Sequence, residues 1–369
     1  MTRQELKNKT IRRHYCYFLL AGILLLSGCQ SVELLSIDYM LPADISFPES
    51  LRKVAVVNNV PDNLPESSPA IQNGDTLQSV RRYQGNATIT AESLAEALAG
   101  ENYFDEVVIC DSALNHNKST QGENILSRES VNTLAKDLNV DFLISLEDIQ
   151  MEATHKMHFL PEWDSFYGTV DVKVYPSVRV YLPNHKKPMV TVSPNDSIFW
   201  EAAGNSESAV HAHLISEKEL IEQASEFAGT VPVRHLLPSW KTAQRYMFTG
   251  GSVDMRDAAI YAKEGDWTTA IELWQNQYTQ KKGKKKMHAA YNIALGYEMQ
   301  DSITIALEWA IKAFTIAQEI DNVSDETIRN SSIQDKPNYL LTALYVNELQ
   351  ERKNSINLLN MQMKRFNEE

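Results

Sequence analysis

Histidine can bind a metal or transfer a proton near neutral pH, and this sequence contains two close pairs of histidines. His155 and His158 follow an extended run, where residues three apart face opposite sides, so the two are not expected to share a metal. His211 and His213 would share a face only on a strand, and a solvated loop before a helix is the alternative. On a strand, nearby carboxylates could complete a metal site with them: Glu207, Glu217 and Glu219.

Short motifs that carry known chemistry do not occur in the sequence. It contains no HExxH, no phosphate-binding P-loop, no dinucleotide-binding GxGxxG, no GxSxG and no CxxC pair. We therefore predict that the protein is not an enzyme and has no catalytic residue, no cofactor and no bound metal.

A cluster of aromatic residues gives a different possibility. Trp163, Phe166 and Tyr167 stand beside Glu162 and Asp164. Flat rings and carboxylates suit hydroxyl-rich ligands, so these residues could form a lip that stacks on a sugar. Ordinary packing within a loop is the alternative.

The third group is a block of five lysines, which concentrates positive charge in a chain that is acidic as a whole. It consists of Lys281, Lys282, Lys284, Lys285 and Lys286. The chain has 35 Lys and Arg against 48 Asp and Glu, a net charge of −13, which excludes nucleic acid as an expected partner. The block is a candidate docking site for an acidic protein or an anionic glycan, with Lys284 and Lys285 as contact residues. A charged loop that is simply solvated is the alternative.

The N-terminus has the layout of a secretory signal. Basic residues between Arg3 and Arg13 precede an apolar run from Tyr15 to Leu26, which is too short to cross about 30 Å of hydrocarbon comfortably. The run ends in Leu26-Ser27-Gly28-Cys29, which resembles the lipobox of bacterial lipoproteins. That resemblance implies cleavage after residue 28, acylation of Cys29 and a location in the cell envelope, expected at the periplasmic face of the outer membrane. An uncleaved N-terminal anchor is the alternative.

Cleavage would change both the charge and the cysteine content. Residues 1–28 carry five basic residues and one acidic residue, so the mature chain would have 30 basic and 47 acidic residues, a net charge of −17. With Cys16 removed and Cys29 acylated, only Cys110 is left, so no intramolecular disulfide is possible. Cys110 ends an apolar run and is expected to be a buried, inert thiol.

Residues 50–240, after a tether over residues 29–49, predict an α/β domain. Buried strands are expected at Val54–Val57, Val107–Cys110 and Phe142–Leu146, with helices between them. From residue 169 to residue 200 apolar and polar residues alternate, which predicts an antiparallel meander that completes a mixed sheet. Ser216 and Glu219 form a capping box at the start of a further helix. The arrangement is broadly similar, by analogy only, to the periplasmic folds of curli-channel and TolB amino-terminal lipoproteins.

Residues 250–369 show helical periodicity and an internal repeat. Five positions recur at an offset of 36 residues: Ala258, Tyr261, Gly265, Ala270 and Trp274, then Ala294, Tyr297, Asp301, Ala306 and Ala310. Small residues let two antiparallel helices approach, and Gly265 permits the reversal between them. This pattern, together with Ala313, resembles the tetratricopeptide repeat, although Asp254, Asp257 and Gln277 depart from it. A third, degenerate hairpin is expected over Tyr339–Gln350 and Ser355–Met363, and an unrelated helical bundle is the alternative.

If the repeats form, the first helix of each hairpin would line a concave surface that could hold a peptide or helix. Its register places six residues there: Met255, Ala259, His288, Tyr291, Leu295 and Glu298. Some of these could instead belong to the core between repeats.

The predicted fold class is α+β, with an N-terminal mixed-sheet α/β sandwich domain followed by an all-α tetratricopeptide-like repeat domain. The whole layout resembles a family of uncharacterised bacterial lipoproteins with tetratricopeptide tails, and that resemblance implies no activity. We expect a lipid-anchored envelope scaffold or accessory protein that binds an unknown protein partner through its repeats. A glycan- or peptidoglycan-binding lipoprotein, possibly hydrolytic, that uses the α/β domain is the alternative.

Overall fold

The computed structural model describes residues 32–61, 71–72, 77–110, 114, 125–324 and 332–366. The chain divides into two compact units. The helical unit contains the described residues up to Tyr39 and residues Trp240–Asn357, and the α/β unit contains Met40–Ser239 and the residues from Leu358 onward. The predicted signal segment and Cys29 lie outside the described residues.

Three parallel strands form the centre of the α/β unit: β2 (Lys53–Asn58), β5 (Glu106–Cys110) and β6 (Phe142–Leu160). β2 lies between the other two, and Val54–Val57 are completely buried because helices cover both faces of the strand. Helix α1 (Ala87–Gly100) packs on the side of Val54 and Val56, and helix α2 (Arg128–Asp137) packs on the opposite side. This confirms the predicted strand and helix series, although Cys110 is half-buried rather than buried.

Antiparallel strands extend this sheet on the β6 side. β6 pairs with β4 (Leu77–Gln84) and with β7 (Ser165–Tyr181), and β7 pairs with β8 (Val190–Val192) and β9 (Asp196–Gly204). The short strand β3 (Ile71–Gln72) pairs with β4. The sheet is therefore mixed, as predicted, but β4 and the full length of β6 were not predicted from the sequence.

Three helices follow the sheet in the chain: α3 (Glu207–His213), α4 (Glu217–Thr230) and α5 (Val233–Leu236). Ser216 and Glu219 form the predicted capping box at the start of α4. The apolar side of α4, with Leu220 and Ala224, joins the buried valines of β7 in one core. Strands β6 and β7 continue beyond this core as a long hairpin that turns at Pro161–Trp163.

Residues 358–366 complete the α/β unit with polar contacts to its backbone. The buried Gln362 side chain accepts a 2.9 Å hydrogen bond from the Ala43 N–H and donates to the Ala43 and Ile45 carbonyls. The Arg365 guanidinium lies 4.1 Å from the centre of the Tyr103 ring and donates to the Tyr103 carbonyl. Nothing in the helical periodicity of the sequence indicated these contacts, because each depends on a residue more than 250 positions away.

Residues 32–41, expected to belong to a tether, form a β-strand instead. Strand β1 (Val32–Leu41) pairs with β10 (Ser239–Phe248) in a two-stranded ribbon. Ile37 and Tyr39 are buried, whereas Ser36 and Asp38 face outward, so the segment has the alternation of a half-buried strand. The prediction of a tether overlooked this short alternation.

Five helices make up most of the helical unit. They are α6 (Val253–Lys263), α7 (Trp267–Gln280), α8 (Gly283–Met299), α9 (Ile303–Ile320) and α10 (Pro337–Met363), whose residues from Leu358 belong to the α/β unit. The small residues of the predicted repeat are buried, as is Trp274: Ala258, Ala270, Ala294, Ala306, Ala310 and Ala313. Tyr297 is half-buried and Tyr261 is exposed. Instead of the expected third hairpin there is one continuous helix, since residues 351–354 contain no glycine or proline to end it.

The turn that ends α6 recurs at the end of α8, 36 residues later. Gly265 and Asp301 have φ angles of +84° and +55°, and the N–H of the following residue bonds to the carbonyl of Tyr261 or Tyr297 at 2.9 Å in both turns. These are the hydrogen bonds of a Schellman motif, which closes a helix and reverses the chain. The offset detected in the sequence therefore corresponds to a repeated helix hairpin.

Gly265→Ala tests the importance of this turn. Alanine strains a backbone with φ of +84°, so we expect the helical unit to lose about 1 kcal/mol of unfolding free energy. Gly100→Ala is the control, because Gly100 lies in α1 and an added Cβ would meet no atom within 4 Å. Urea unfolding followed by circular dichroism measures both variants, and equal midpoints would contradict the role of the turn.

Candidate functional site

The residues predicted to line a concave binding surface are almost all inside the helical unit. Met255, Ala259, Tyr291, Leu295 and Glu298 are each at most 4% exposed and belong to the core between α6, α7, α8 and α9 or to its polar centre. His288 is partly buried. A partner cannot reach the five buried residues in this conformation, so the structure assigns them to packing.

Glu298 is the centre of a buried network of charges. Its carboxylate accepts hydrogen bonds from Nε and a terminal nitrogen of Arg245, at 2.9 and 3.0 Å. Burial alone would lower the pKa of Arg245, but the hydrogen bond and the charge of Glu298 outweigh it and raise that pKa above its ordinary value. The pair links β10 to α8, so Glu298 has a structural partner that the sequence pattern did not reveal.

Two side chains of α10 bind the same carboxylate. Arg352 donates to Glu298 Oε1 at 2.7 Å, and the Tyr345 hydroxyl donates to Oε2 at 2.7 Å. Arg245 also pairs with Glu348 of α10 at 2.6 Å. One buried carboxylate therefore holds a strand and two helices together, and its four charge-assisted hydrogen bonds offset the cost of burying it.

Glu298→Gln tests this network. The amide keeps the size of the side chain but removes the charge, so Arg352 and Arg245 lose the buried anion that they share. We therefore expect the unfolding free energy of the helical unit to fall by about 3 to 5 kcal/mol. Glu308→Gln is the matched control, since Glu308 is an exposed acid of α9. Urea unfolding measures the difference, and a variant as stable as the control would contradict the central place of Glu298.

Helix α8 also holds the end of β10 through polar and ring contacts. The buried Asn292 carboxamide accepts from the Phe248 N–H at 2.9 Å and donates to the Phe248 carbonyl at 2.7 Å. The His288 ring stacks on the Phe248 ring, with centroids 3.7 Å apart. Burial, with a smaller effect of the nearby Lys284, lowers the pKa of His288 to about 4.

His288 therefore makes stability depend on pH. Below pH 6.5 the unfolded chain binds a proton at this residue, whereas the folded chain does so only near pH 4. We expect the unfolding free energy to fall by about 1 kcal/mol as the pH drops through this window. His288→Phe keeps the stacking and should remove this part of the pH dependence, whereas His185→Phe, at an exposed site, should keep it. Urea midpoints between pH 7 and pH 4 measure the effect, and parallel curves for the parent and His288→Phe would contradict it.

The lysine block lies at the start of α8. Lys282, Lys284 and Lys285 are exposed, whereas Lys281 and Lys286 are partly buried. The Lys286 ammonium lies 4.5 Å from the centre of the Tyr278 ring, so this lysine packs on an aromatic face. Of the predicted partner-binding residues, Lys284 and Lys285 are the ones that the structure places fully at the surface.

An aromatic pair near this block was not detected from the sequence. Tyr278 of α7 and Trp309 of α9 are half-buried and meet edge to face, with centroids 5.0 Å apart. Lys312 covers the Trp309 ring at 3.7 Å, as Lys286 covers Tyr278. Tryptophan and tyrosine are the residue types that most often dominate the energy of protein interfaces. Because the pair comes from different hairpins, only the fold brings it together.

The predicted sugar-binding aromatics lie at the tip of the β6–β7 hairpin. Trp163 is 74% exposed, Phe166 packs against Phe159 at 5.0 Å, and the Tyr167 hydroxyl donates to Glu201. Two open clefts of the α/β unit, of about 730 and 660 Å³, are lined by other residues. The structure therefore exposes one ring of the predicted lip, whereas Phe166 packs within the hairpin and Tyr167 bonds to strand β9.

The histidine pairs do not form metal sites among the residues that the structure describes. His155 and His158 lie on β6, where they pair with Val170 and Tyr167 of β7. Because they are three positions apart on one strand, they face opposite sides of the hairpin, as predicted. His211 and His213 lie on helix α3 and not on a strand. Within the described ranges, no group of three or more histidine, cysteine, aspartate or glutamate side chains is placed to hold a metal ion.

A buried acid of β6, next to the carboxyl end of β2, was also not predicted from the sequence. Glu147 accepts hydrogen bonds from Asn59 at 2.8 Å, from the Tyr181 hydroxyl at 3.2 Å and from Arg179 at 3.3 Å. Burial raises the pKa of Glu147, and these partners oppose the rise. The acid is satisfied by its neighbours, which indicates a structural role.

Two family models match the chain. The domain of unknown function DUF8603 matches residues 51–248, which is more than half of the chain, and the domain of unknown function DUF6340 matches residues 256–351. The two matches fit the predicted division into two domains. No curated protein and no solved structure matches the chain. None of the described helices has the length and apolar character that crossing a membrane requires.

Proposed function

The chain belongs to the family of the domain of unknown function DUF8603, and we propose that it is a lipid-anchored scaffold or accessory protein of the bacterial cell envelope. It binds another protein through its helical unit and catalyses no reaction. The lipobox-like Leu26-Ser27-Gly28-Cys29 supports the anchor, and the proposed location is the outer membrane, facing the periplasm.

The observation that carries the proposal is the repeated helix hairpin. α6 with α7 and α8 with α9 are closed by the same Schellman turn at an offset of 36 residues, around buried alanines. We propose that these hairpins are divergent tetratricopeptide-like repeats, which stack into scaffolds that bind other proteins. The acyl anchor would raise the effective concentration of a membrane-associated partner, so a weak interaction would suffice.

The partner is proposed to bind the outward aromatic pair rather than the buried concave residues. Tyr278 and Trp309 offer partly exposed ring surface, and Lys286 and Lys312 beside them favour a partner with acidic groups. This surface combines residues of both hairpins, so it exists only when the hairpins are stacked.

The second candidate is glycan binding by the α/β unit. It is favoured by one observation, the 74% exposure of Trp163 at the tip of a long hairpin, since an exposed indole suits stacking on a sugar ring. Glu162 and Asp164 flank this ring in the sequence.

Trp309→Ala and Trp163→Ala separate the two candidates, because each variant is the control for the other. We expect Trp309→Ala to reduce recovery of a crosslinked partner from native membranes at least tenfold and Trp163→Ala to leave it unchanged. Lys312→Glu should also weaken recovery of the partner. Because Lys312 is exposed, this variant should fold normally, so it shows whether the loss in Trp309→Ala is due to binding rather than to misfolding.

Opposite results would favour the alternative. Recovery that is unaffected by Trp309→Ala and Lys312→Glu would contradict binding through the helical unit. Loss of binding to purified peptidoglycan in Trp163→Ala alone would support the glycan function. The anchor is tested separately by mass spectrometry of the N-terminal peptide, which should begin at an acylated Cys29.

A further inference from the structure

The start of strand β1 lies very close in the chain to the proposed acylation site. Only residues 30 and 31 separate Cys29 from Val32, the first residue of the ribbon. Three residue steps span at most about 11 Å, even when fully extended. If Cys29 carries lipid, this end of the helical unit is held at the bilayer surface.

An apolar pair faces outward at this end of the ribbon. Gln244 donates to Ser36 at 3.0 Å and Thr242 donates to Asp38 at 2.6 Å, so the strands are antiparallel and this register places Tyr246 opposite Leu34. Leu34 is 60% exposed and Tyr246 is 42% exposed, while the next two pairs along the same face are polar. Trp240, 67% exposed, lies at the far end of this face, so Leu34 and Tyr246 are its apolar pair at the end nearest to the anchor.

The lysine block lies at the same end of the helical unit. β10 ends at Phe248, whose ring stacks on His288, and Lys284 and Lys285 lie one turn before His288 on α8. The Lys285 side chain also passes Gly251, with its Cε 4.0 Å from the position that a Cβ would take there. Lys284 and Lys285 therefore lie at the end of α8 that contacts the end of β10, and Phe248 at this contact is two residues along the strand from Tyr246.

We propose that these four residues, Leu34, Tyr246, Lys284 and Lys285, form a membrane-contact surface that binds anionic phospholipid headgroups next to the acyl anchor. The proposal rests on the proposed acylation of Cys29. Tyrosine suits the headgroup region, where its ring is apolar and its hydroxyl is hydrated, and each lysine near an anionic surface strengthens binding about fivefold.

The position of the block explains how so acidic a chain can lie against an anionic bilayer. A mature chain of net charge −17 is repelled by anionic lipid on average, but the exposed lysines concentrate positive charge where the anchor holds the protein. The acyl group would then set the distance from the membrane, and the lysines would set which side of the helical unit faces it.

Lysine footprinting of the lipidated protein in vesicles tests this surface. The protein is reconstituted in phosphatidylcholine vesicles with or without 30% phosphatidylglycerol and treated with a membrane-impermeant amine-acylating reagent. We expect anionic vesicles to slow modification of Lys284 and Lys285 about threefold to tenfold and 0.5 M salt to restore it. Lys353, exposed on α10 next to Arg352 and so at the opposite end of α8, is the internal control and should react equally in all samples.

Equal modification of Lys284 and Lys285 in both kinds of vesicle would overturn the proposal. Protection that appears only in native membranes, and not in pure lipid, would also overturn it and would indicate an acidic protein partner. Leu34→Ser with Tyr246→Ser should reduce the protection of Lys284 and Lys285 without changing the reactivity of Lys353.

Failure of the anchor is distinguished from failure of the surface. If Cys29 is found without lipid, residues 29–369 with Cys110→Ser are coupled through Cys29 to a maleimide-bearing lipid and footprinted in the same way. Protection in this sample supports the surface even where the native anchor is refuted, and its absence refutes the surface independently.

Discussion

The helical unit depends on one carboxylate, because Glu298 is the buried anion that two buried arginines share. Arg245 comes from β10 and Arg352 from α10, and Tyr345 closes the remaining side of the carboxylate. Apolar packing alone would hold helices against each other with several registers of similar energy, whereas a shared anion tolerates only the register in which all its donors reach it. The network therefore specifies that β10 and α10 pack against α8, whereas the alanine-rich core alone does not specify these neighbours.

Periodicity in the sequence predicted the helices and strands of this protein better than it predicted which of them pack together. The central strands of the α/β unit were recognisable because Val54–Val57 and Phe142–Leu146 are continuous apolar runs, and the hairpin repeat because Gly265 and Asp301 occupy equivalent turns. β1 was missed although seven of its ten residues are apolar, because the segment directly follows the proposed acylation site, where a tether is expected. Two helices were expected in place of the continuous helix α10, because the repeat pattern was applied to a segment that contains no turn residues.

The candidate surfaces show the same limit more sharply. A helical register places Met255, Tyr291 and Leu295 on one face but cannot say whether that face meets solvent or another helix, and here it meets other helices. The Tyr278 and Trp309 pair, and the nearness of Lys285 to Gly251, arise from contacts between residues that are more than 30 positions apart. Such contacts are products of the tertiary fold, so no local pattern in the sequence predicts them.

Gln362 and Arg365 belong to the α/β unit but are synthesised long after the rest of it. They satisfy backbone groups of Ala43, Ile45 and Tyr103, yet the ribosome makes them only after every residue of the helical unit. During synthesis the backbone groups of Ala43 therefore remain without these partners until residues beyond 357 have been made. The helical unit takes its first strand from before the α/β unit, and the α/β unit takes its last residues from after the helical unit, so a chain that stops early would lose part of the α/β unit.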